Sequence, residues 1–371
     1  SPEPVRLKSG VGGSIQKNNF SIPKHNIDIF FKPVGEQSAL TGLCDGPMSP
    51  HQHLRCGLKQ AAFEFYLWVM VCMSDVLSEN AARAPSPSFG EKRAAAIYDL
   101  GHSTIFASRI DPRFSYCTYA PPHLGESKRP MQLVVVVHGT GRAFTEYRDA
   151  FAAFARWNDC IVLCPLFPAG PQGDGNRDGF KHLREADIRY DQILLSMVDE
   201  IAAKFGCDFS KFALFGYSGG GQFVNRFGLL HPERLWALSI GAPGSVTLID
   251  FDQDWWVGVR DFEKRFGKAL NLPALKALPV HMVVGKADME TWEITHREGG
   301  KFYMAGANDA GRTRPERLET LRKSFVQAGV NVTLDLVDNV PHDGLACVDT
   351  VQDFLAAVLG EMRGKAPSTA P

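Results

Sequence analysis

The side chain best placed to do chemistry is Ser218. It stands in Gly216-Tyr217-Ser218-Gly219-Gly220-Gly221, between a short apolar run at 212–215 and a helical run at 222–231. A G-x-S-x-G that joins a strand to a helix forms a nucleophile elbow, a turn sharp enough to strain its own serine and lift the hydroxyl clear of the sheet. Small residues at Gly216 and Gly220 let strand and helix close on each other. The Gly219 N–H, at the start of the helix, can then face an oxyanion. A phosphate-cradling loop is a poorer reading, because the G-x-G-x-x-G order and the P-loop lysine are both missing.

A serine hydroxyl hardly ionises at neutral pH, so it needs a base within hydrogen-bond reach and a third group to orient that base. With an elbow, the order along the chain is serine, acid, histidine. Four histidines follow Ser218. His231 precedes Pro232 at the far end of the elbow helix, His281 falls inside a strand, and His296 lies in a long loop. His342, in Asn339-Val340-Pro341-His342-Asp343-Gly344, follows the last strand and precedes the last helix, and it is the expected base. Asp288, just past the buried run Val283-Val284-Gly285, is the expected acid, with Glu290, Glu293 and Asp309 as substitutes. A second oxyanion donor is expected from the backbone of Thr140 or Gly141, where the apolar run 133–137 opens into His138-Gly139-Thr140-Gly141. The His138-Gly139 pair itself reads as structural. Such a set performs acyl transfer.

These residues can meet only if a sheet brings their loops to one edge. Strand signals at 103–109 and 114–120, turning at Asp111-Pro112, read as an antiparallel edge. Runs at 133–137 and 160–164 are apolar on both faces, as central parallel strands must be. Further strands are expected at 235–240, 280–284 and 332–337, with helices at 146–157, 187–205, 315–328 and 348–362. Alternating strands and helices predict an α/β fold, a mostly parallel central sheet flanked by helices. Two long connections interrupt the alternation. Residues 244–276 carry Trp255 and Trp256 and read as a small cap insertion, and 289–314 carries Trp292 and Tyr303. With Tyr217, the three tryptophans are the expected substrate-binding side chains, which favours a moderately apolar acyl or alcohol group.

Taken together, His138-Gly139-Thr140-Gly141, Gly216-Tyr217-Ser218-Gly219-Gly220, Asp288 and His342 resemble an α/β-hydrolase serine esterase. The corner and the H-G-x-G loop are most similar to the polyhydroxybutyrate-depolymerase and feruloyl-esterase-like branch. The resemblance spans roughly 95–362. It implies an acyl-enzyme on Ser218, hydrolysed by water activated at His342, but does not reach a substrate. The expected one is a small-molecule carboxylic ester, with a thioester or amide as alternatives. Thr140 departs from the triple-glycine loop, which leaves the second donor open between Thr140 and Gly141. The same scaffold also hosts lyases that use serine and histidine as a proton relay, and ligand-binding proteins that have lost catalysis; the intact Ser218, Asp288 and His342 count against the latter.

No metal or organic cofactor is expected. Asp174-Gly175-Asn176-Arg177-Asp178-Gly179 followed by Glu185 fits the calcium-loop pattern. However, Pro165, Pro168 and Pro171 stand where the entering helix should be, and Lys181 takes a position usually apolar, so a loop on the rim of the site is the better reading. With 40 basic and 41 acidic residues among 371, the net charge of −1 argues against nucleic acid or a polyanionic partner. The eight cysteines (44, 56, 72, 117, 160, 164, 207 and 347) contain no C-x-x-C. Cys117, Cys160 and Cys164 fall in strand runs and read as reduced buried thiols, which leans toward a cytoplasmic location. The apolar run 61–73 contains Glu64 and, at about 13 residues, is short of the ~20 a membrane span needs. Residues 1–93 read as an irregular N-terminal extension, beginning without methionine as though trimmed and dispensable to folding at 1–72. A hinge follows at 84–88, then the hydrolase body at 94–365 and a tail at 366–371.

Overall fold

The computed structural model describes residues 94, 97–127 and 129–365. A division of the chain falls after Ser86, so every described residue belongs to the unit Pro87–Pro371. The extension 1–93 with its apolar run, Cys44, Cys56, Cys72 and the tail 366–371 lie outside the described residues.

The sheet is built from β1 (Gly101–His102), β2 (Phe106–Ala107), β3 (Ser115–Ala120), β4 (Gln132–Val137), β5 (Cys160–Leu166), β8 (Phe212–Tyr217), β9 (Leu235–Gly241), β10 (Val280–Gly285) and β11 (Val332–Val337). A small hairpin, β6 (Arg184–Glu185) and β7 (Ile188–Arg189), stands apart from it. The strand order is β1-β3-β5-β4-β8-β9-β10-β11, with β2 also on β3. From β5 to β11 every pairing is parallel, and β1, β2 and β3 form an antiparallel edge. All residues of β8, β9 and β10 are buried, which is why these strands read as unbroken apolar runs.

Helices cover the sheet. α1 (Phe144–Trp157) buries Phe144, Tyr147, Phe151, Phe154 and Ala155, one helical face at three- and four-residue spacing. α2 (Tyr190–Phe205) stops at Gly206, whose φ of 63° lets it accept the left-handed cap. α3 (Gly219–Leu230) is buried along its whole length. α6 (Arg314–Gln327) starts on a capping box, in which the Thr313 hydroxyl accepts from the Glu316 N–H and the Glu316 carboxylate accepts from the Thr313 N–H. α7 (Val348–Lys365) lies against α1, where Gln352 donates to the Ala150 carbonyl at 3.0 Å.

The sheet order reverses between β4 and β8: the chain leaves β4 for β5 on one side and returns to β8 on the other. Crevices form at the carboxyl ends of strands at such a switch point. Register brings the ends level, with Val137 opposite Gly216, Tyr217 opposite Gly241, and Gly285 opposite Val337.

Three differences from the sequence reading have physical causes. Of the edge expected over 103–109 only the dipeptide β2 forms, with β1 just before it, and between them the Ser103 hydroxyl accepts the Thr118 N–H at 2.8 Å in place of a backbone partner. The helix expected from 187 starts at Tyr190, since the preceding residues form the β6–β7 hairpin. The elbow helix starts at Gly219 rather than 222, as the Gln222 N–H already bonds the Ser218 carbonyl. The segment 244–276 contains two short helices, α4 (Phe262–Phe266) and α5 (Leu272–Ala277). Val246, Trp255, Trp256, Val257, Val259 and Phe262 from this segment join the main hydrophobic core.

The described cysteines, Cys117, Cys160, Cys164, Cys207 and Cys347, are free. Among the described residues no helix is long and apolar enough to cross a membrane.

The elbow glycines are held by close backbone approach. A Cβ on Gly220 would stand 2.2 Å from the Val137 carbonyl oxygen, and one on Gly221 2.2 Å from that of Gly241. These neighbours are strand backbone and cannot swing aside. Gly220→Ala is therefore expected to destabilise the fold by about 3 kcal/mol or more. A urea midpoint unchanged from the parent protein would contradict this packing.

Candidate active site

Ser218 follows the last residue of β8 and precedes α3, with φ 59° and ψ −115°. A non-glycine residue there carries strain of roughly 1–3 kcal/mol. The turn is pinned by the Ser218 N–H donating to the Gly241 carbonyl at 2.9 Å. Asp288 lies in the turn after β10, and His342 in the loop after β11. These two loops are tied together by backbone bonds from Lys286 N–H to Val337 O at 2.9 Å and from Ala287 N–H to Val340 O at 3.0 Å.

The three side chains meet. His342 Nε2 is 2.9 Å from Ser218 Oγ, and His342 Nδ1 is 2.6 Å from Asp288 Oδ2. Asp288 is buried, while the other two are partly open to the cleft. With its proton on Nδ1, the imidazole presents a bare Nε2 to the hydroxyl, the tautomer a general base needs.

Thr140 faces the elbow. A Cβ on Gly219 would stand 3.1 Å from the Thr140 nitrogen and 3.0 Å from its hydroxyl. Among the described residues neither the Thr140 nor the Gly219 N–H has a protein acceptor. Around Gly141, by contrast, the corresponding position is open, with nothing within 4 Å. The loop is shaped by His138, fully buried, whose Nδ1 donates to the Gly139 carbonyl at 2.7 Å while Nε2 accepts from the Phe167 N–H at 3.0 Å. Burial pushes this imidazole down to about 3, so it stays neutral.

Two arginines with structural roles at the site went unread in the sequence. Arg314 donates to Asp288 Oδ1 at 3.1 Å and to Glu293 Oε2 at 2.5 Å, so the carboxylate is held from both sides. Arg142 donates to the Thr140 carbonyl at 2.6 Å and to those of Phe167 and Arg177 at 3.1 and 2.8 Å, clamping the loop that presents the Thr140 N–H. One signal was available for Arg314. A cation in the first turn of a helix opposes the helix dipole, so some other partner must hold it there.

A cleft of about 410 Å³ opens at Ser218 and Thr140, walled by Lys181, His182, His296 and Arg297. The expected substrate-binding aromatics do not line it. Tyr217 is buried behind the imidazole of His342, ring centres 5.2 Å apart, and serves as its backstop. Trp255 packs on Phe262 and Phe266 in the core. Trp256 stands one layer back, against His182 and His296 at 5.7 and 4.8 Å. Trp292 is 73% exposed and is not among the cleft-lining residues. Three of the four, expected to bind substrate, are buried in the core instead. From the second long connection, Tyr303 and Phe302 do line the cleft, so part of the apolar lining expected there is present.

The calcium-like loop does reach the cleft, through Asn176, Asp178 and Lys181. Its acids are already engaged: Asp178 pairs with Lys181 at 2.6 Å, and Glu185 accepts from Lys301 at 3.1 Å and from Asn176. Among the described residues no group of three or more potential ligands is placed to hold a metal ion.

His296, half-buried in the wall, is pushed down to about 4, by burial first and then by nearby arginines; His182 is lowered well below its ordinary value for the same first reason. An unfolded chain protonates histidine near its ordinary 6.5, whereas the folded chain resists until about 4, or about 3 for His138. Below 6.5 the unfolded state therefore takes up protons that the folded state refuses, and stability falls with pH. His138 alone gives a slope of about 1.4 kcal/mol per pH unit in that window. The urea midpoint is expected to drop clearly between pH 7 and pH 5; a flat profile would contradict neutral buried imidazoles.

No protein-family model matches the chain, and no curated protein matches it. Solved structures do. Poly(3-hydroxybutyrate) depolymerase from Bordetella parapertussis is similar at 22% identity and a TM-score of 0.56, over 72% of this chain and 97% of that one. Poly(aspartic acid) hydrolase-1 from Sphingomonas sp. KT-1 is similar at 22% identity and 0.53, over 65% and 92%. The strand order, the elbow and these neighbours define the class: the chain has the α/β-hydrolase fold.

Proposed function

We propose that the protein is a serine hydrolase that cleaves a carboxylic ester through an acyl-enzyme on Ser218. The observation that carries this reading is the unbroken hydrogen-bonded path from Ser218 Oγ through His342 to Asp288. As Ser218 Oγ attacks the ester carbonyl, its proton passes to His342 Nε2, and the buried Asp288 carboxylate stabilises the imidazolium through Nδ1–H. The carbonyl oxygen becomes an oxyanion received by the N–H groups of Gly219 and Thr140. Collapse of the tetrahedral species expels the alcohol, protonated by His342. Water then enters, gives a proton to the same nitrogen and attacks the acyl carbon; collapse of this second tetrahedral species releases the acid as His342 returns the proton to Ser218 Oγ.

The test is turnover of p-nitrophenyl butyrate, followed in the stopped flow. A burst of p-nitrophenol equal to the enzyme concentration, then a slower steady state, is the expected record of an accumulating acyl-enzyme. Absence of any turnover across short-chain p-nitrophenyl esters would reject the proposal. A further expectation concerns the oxyanion site. In Gly219→Ala the new methyl would meet the Thr140 nitrogen and hydroxyl at 3.1 and 3.0 Å and push the donors apart. kcat is expected to fall by about 10²-fold, the loss that follows removal of one oxyanion donor. A kcat within twofold of the parent would remove Thr140 from the mechanism.

A further inference from the structure

We infer that the cleft accepts an ester that also carries a carboxylate, seated against His182, His296 and Arg297. The inference rests on the hydrolase reading of Ser218 and adds the substrate class. It starts from buried cations. Arg226 is fully buried, yet its guanidinium meets only neutral groups: the hydroxyls of Thr247 and Ser245 at 3.0 and 2.9 Å, the Lys181 carbonyl at 2.5 Å, and the face of Trp256 at 5.1 Å. Arg317, 1% exposed, likewise donates to the carbonyls of Gly311, Gly244 and Ile294 and to the Asn308 side chain. Lys181, Gly244 and Ile294 are themselves cleft-lining residues, so both charges lie one residue beneath its surface. Buried cations are ordinarily paired with a carboxylate, because an unpaired charge in a low-dielectric interior is costly.

The acids that line or back the cleft are taken, while Asp250 and Asp309 share a separate cavity with Arg317. Asp178 pairs with Lys181, Glu293 and Asp288 with Arg314, and Asp174 and Glu185 with Lys301. Glu316, near Arg317, spends its carboxylate on the N–H groups of Arg312 and Thr313. Arg297, exposed at the mouth of the cleft, has no side-chain partner among the described residues. The field that results is felt by the wall. Beyond burial, His182 is held neutral by the charges of Arg226 and Lys181, and His296 by those of Arg317, Arg226 and Lys181. Among the described residues the rings of both histidines lack hydrogen-bond partners; His182 stacks on Phe302 at 4.2 Å, and His296 packs at a tilt on Trp256 at 4.8 Å. Two neutral imidazoles and a free guanidinium facing one cleft, over Arg226, which meets only neutral groups, and Arg317, whose charge Glu316 offsets in part, supply donors and positive potential together. The chain's net charge of −1 hides this local excess.

The test compares matched esters that differ by one charge: p-nitrophenyl hydrogen glutarate against p-nitrophenyl valerate, and 4-carboxyphenyl butyrate against 4-carbamoylphenyl butyrate. In at least one pair the carboxylate ester is expected to show a kcat/KM higher by about tenfold or more, with the advantage shrinking as salt is raised to about 0.5 M. Arg297→Gln is expected to cut that ratio several-fold. Equal or reversed preference in both pairs overturns the inference while leaving ester hydrolysis intact. Calorimetric titration of Ser218→Ala with the two butyrates separates the claims when turnover fails. Tighter binding of 4-carboxyphenyl butyrate supports the anion site without hydrolysis, and equal or weaker binding overturns it.

Discussion

Ser218→Ala is expected to lower kcat for p-nitrophenyl butyrate by at least about 10⁴-fold. The size follows from what is removed. Without Oγ no acyl-enzyme can form, and His342 has no proton to take; only the residual assistance of the backbone donors and of binding remains. Stability should not fall, because the strained φ of 59° costs alanine no more than serine and the Oγ bonds only His342. Circular dichroism and an unchanged urea midpoint would therefore separate lost chemistry from lost fold. A variant that keeps more than one per cent of the parent kcat would mean that another group performs the attack.

Asp288→Asn is the second large effect, about 10⁴-fold in kcat, and it is the sharper test of roles because the change is isosteric. The amide can donate to His342 Nδ1 and so favour the tautomer with its proton on Nε2, the nitrogen that must be bare to receive the Ser218 proton. It also leaves Arg314, 1% exposed, with Glu293 as its remaining carboxylate. Loss of stability of a few kcal/mol is expected beside the loss of rate, since breaking a buried pair strands a charge. If Asp288→Asn retained a tenth of the parent kcat, the orienting acid would have to be sought among Glu290, Glu293 and Asp309.

What could be read in the sequence and what could not divides along a physical line. The elbow is written in consecutive residues, because the close approach of Gly220 to Val137 and the turn at Ser218 are demands on the local backbone. The alternation of buried strands and amphipathic helices follows from burial on both faces of a parallel sheet, so β4, β5, β8 and β10 were legible within a residue or two. The clamps were not legible. Arg314 meets Asp288 across 26 positions and Arg142 meets Phe167 and Arg177 across 25 and 35, and nothing in their own neighbourhoods encodes those partners. The lining of the cleft was misread for a related reason. Trp255 and Trp256 carry a strong demand for burial, but the demand is non-directional and was met by the core, leaving Lys181, His182, His296, Arg297, Phe302 and Tyr303 to line the cleft.

The most direct measurement is to react the intact protein with a fluorophosphonate and locate the adduct by peptide mass spectrometry. A hydroxyl activated by His342 should take up one equivalent, with the added mass on Ser218 alone and none after His342→Ala. An adduct on a different side chain, or an unlabelled protein that still turns over esters, would contradict the account.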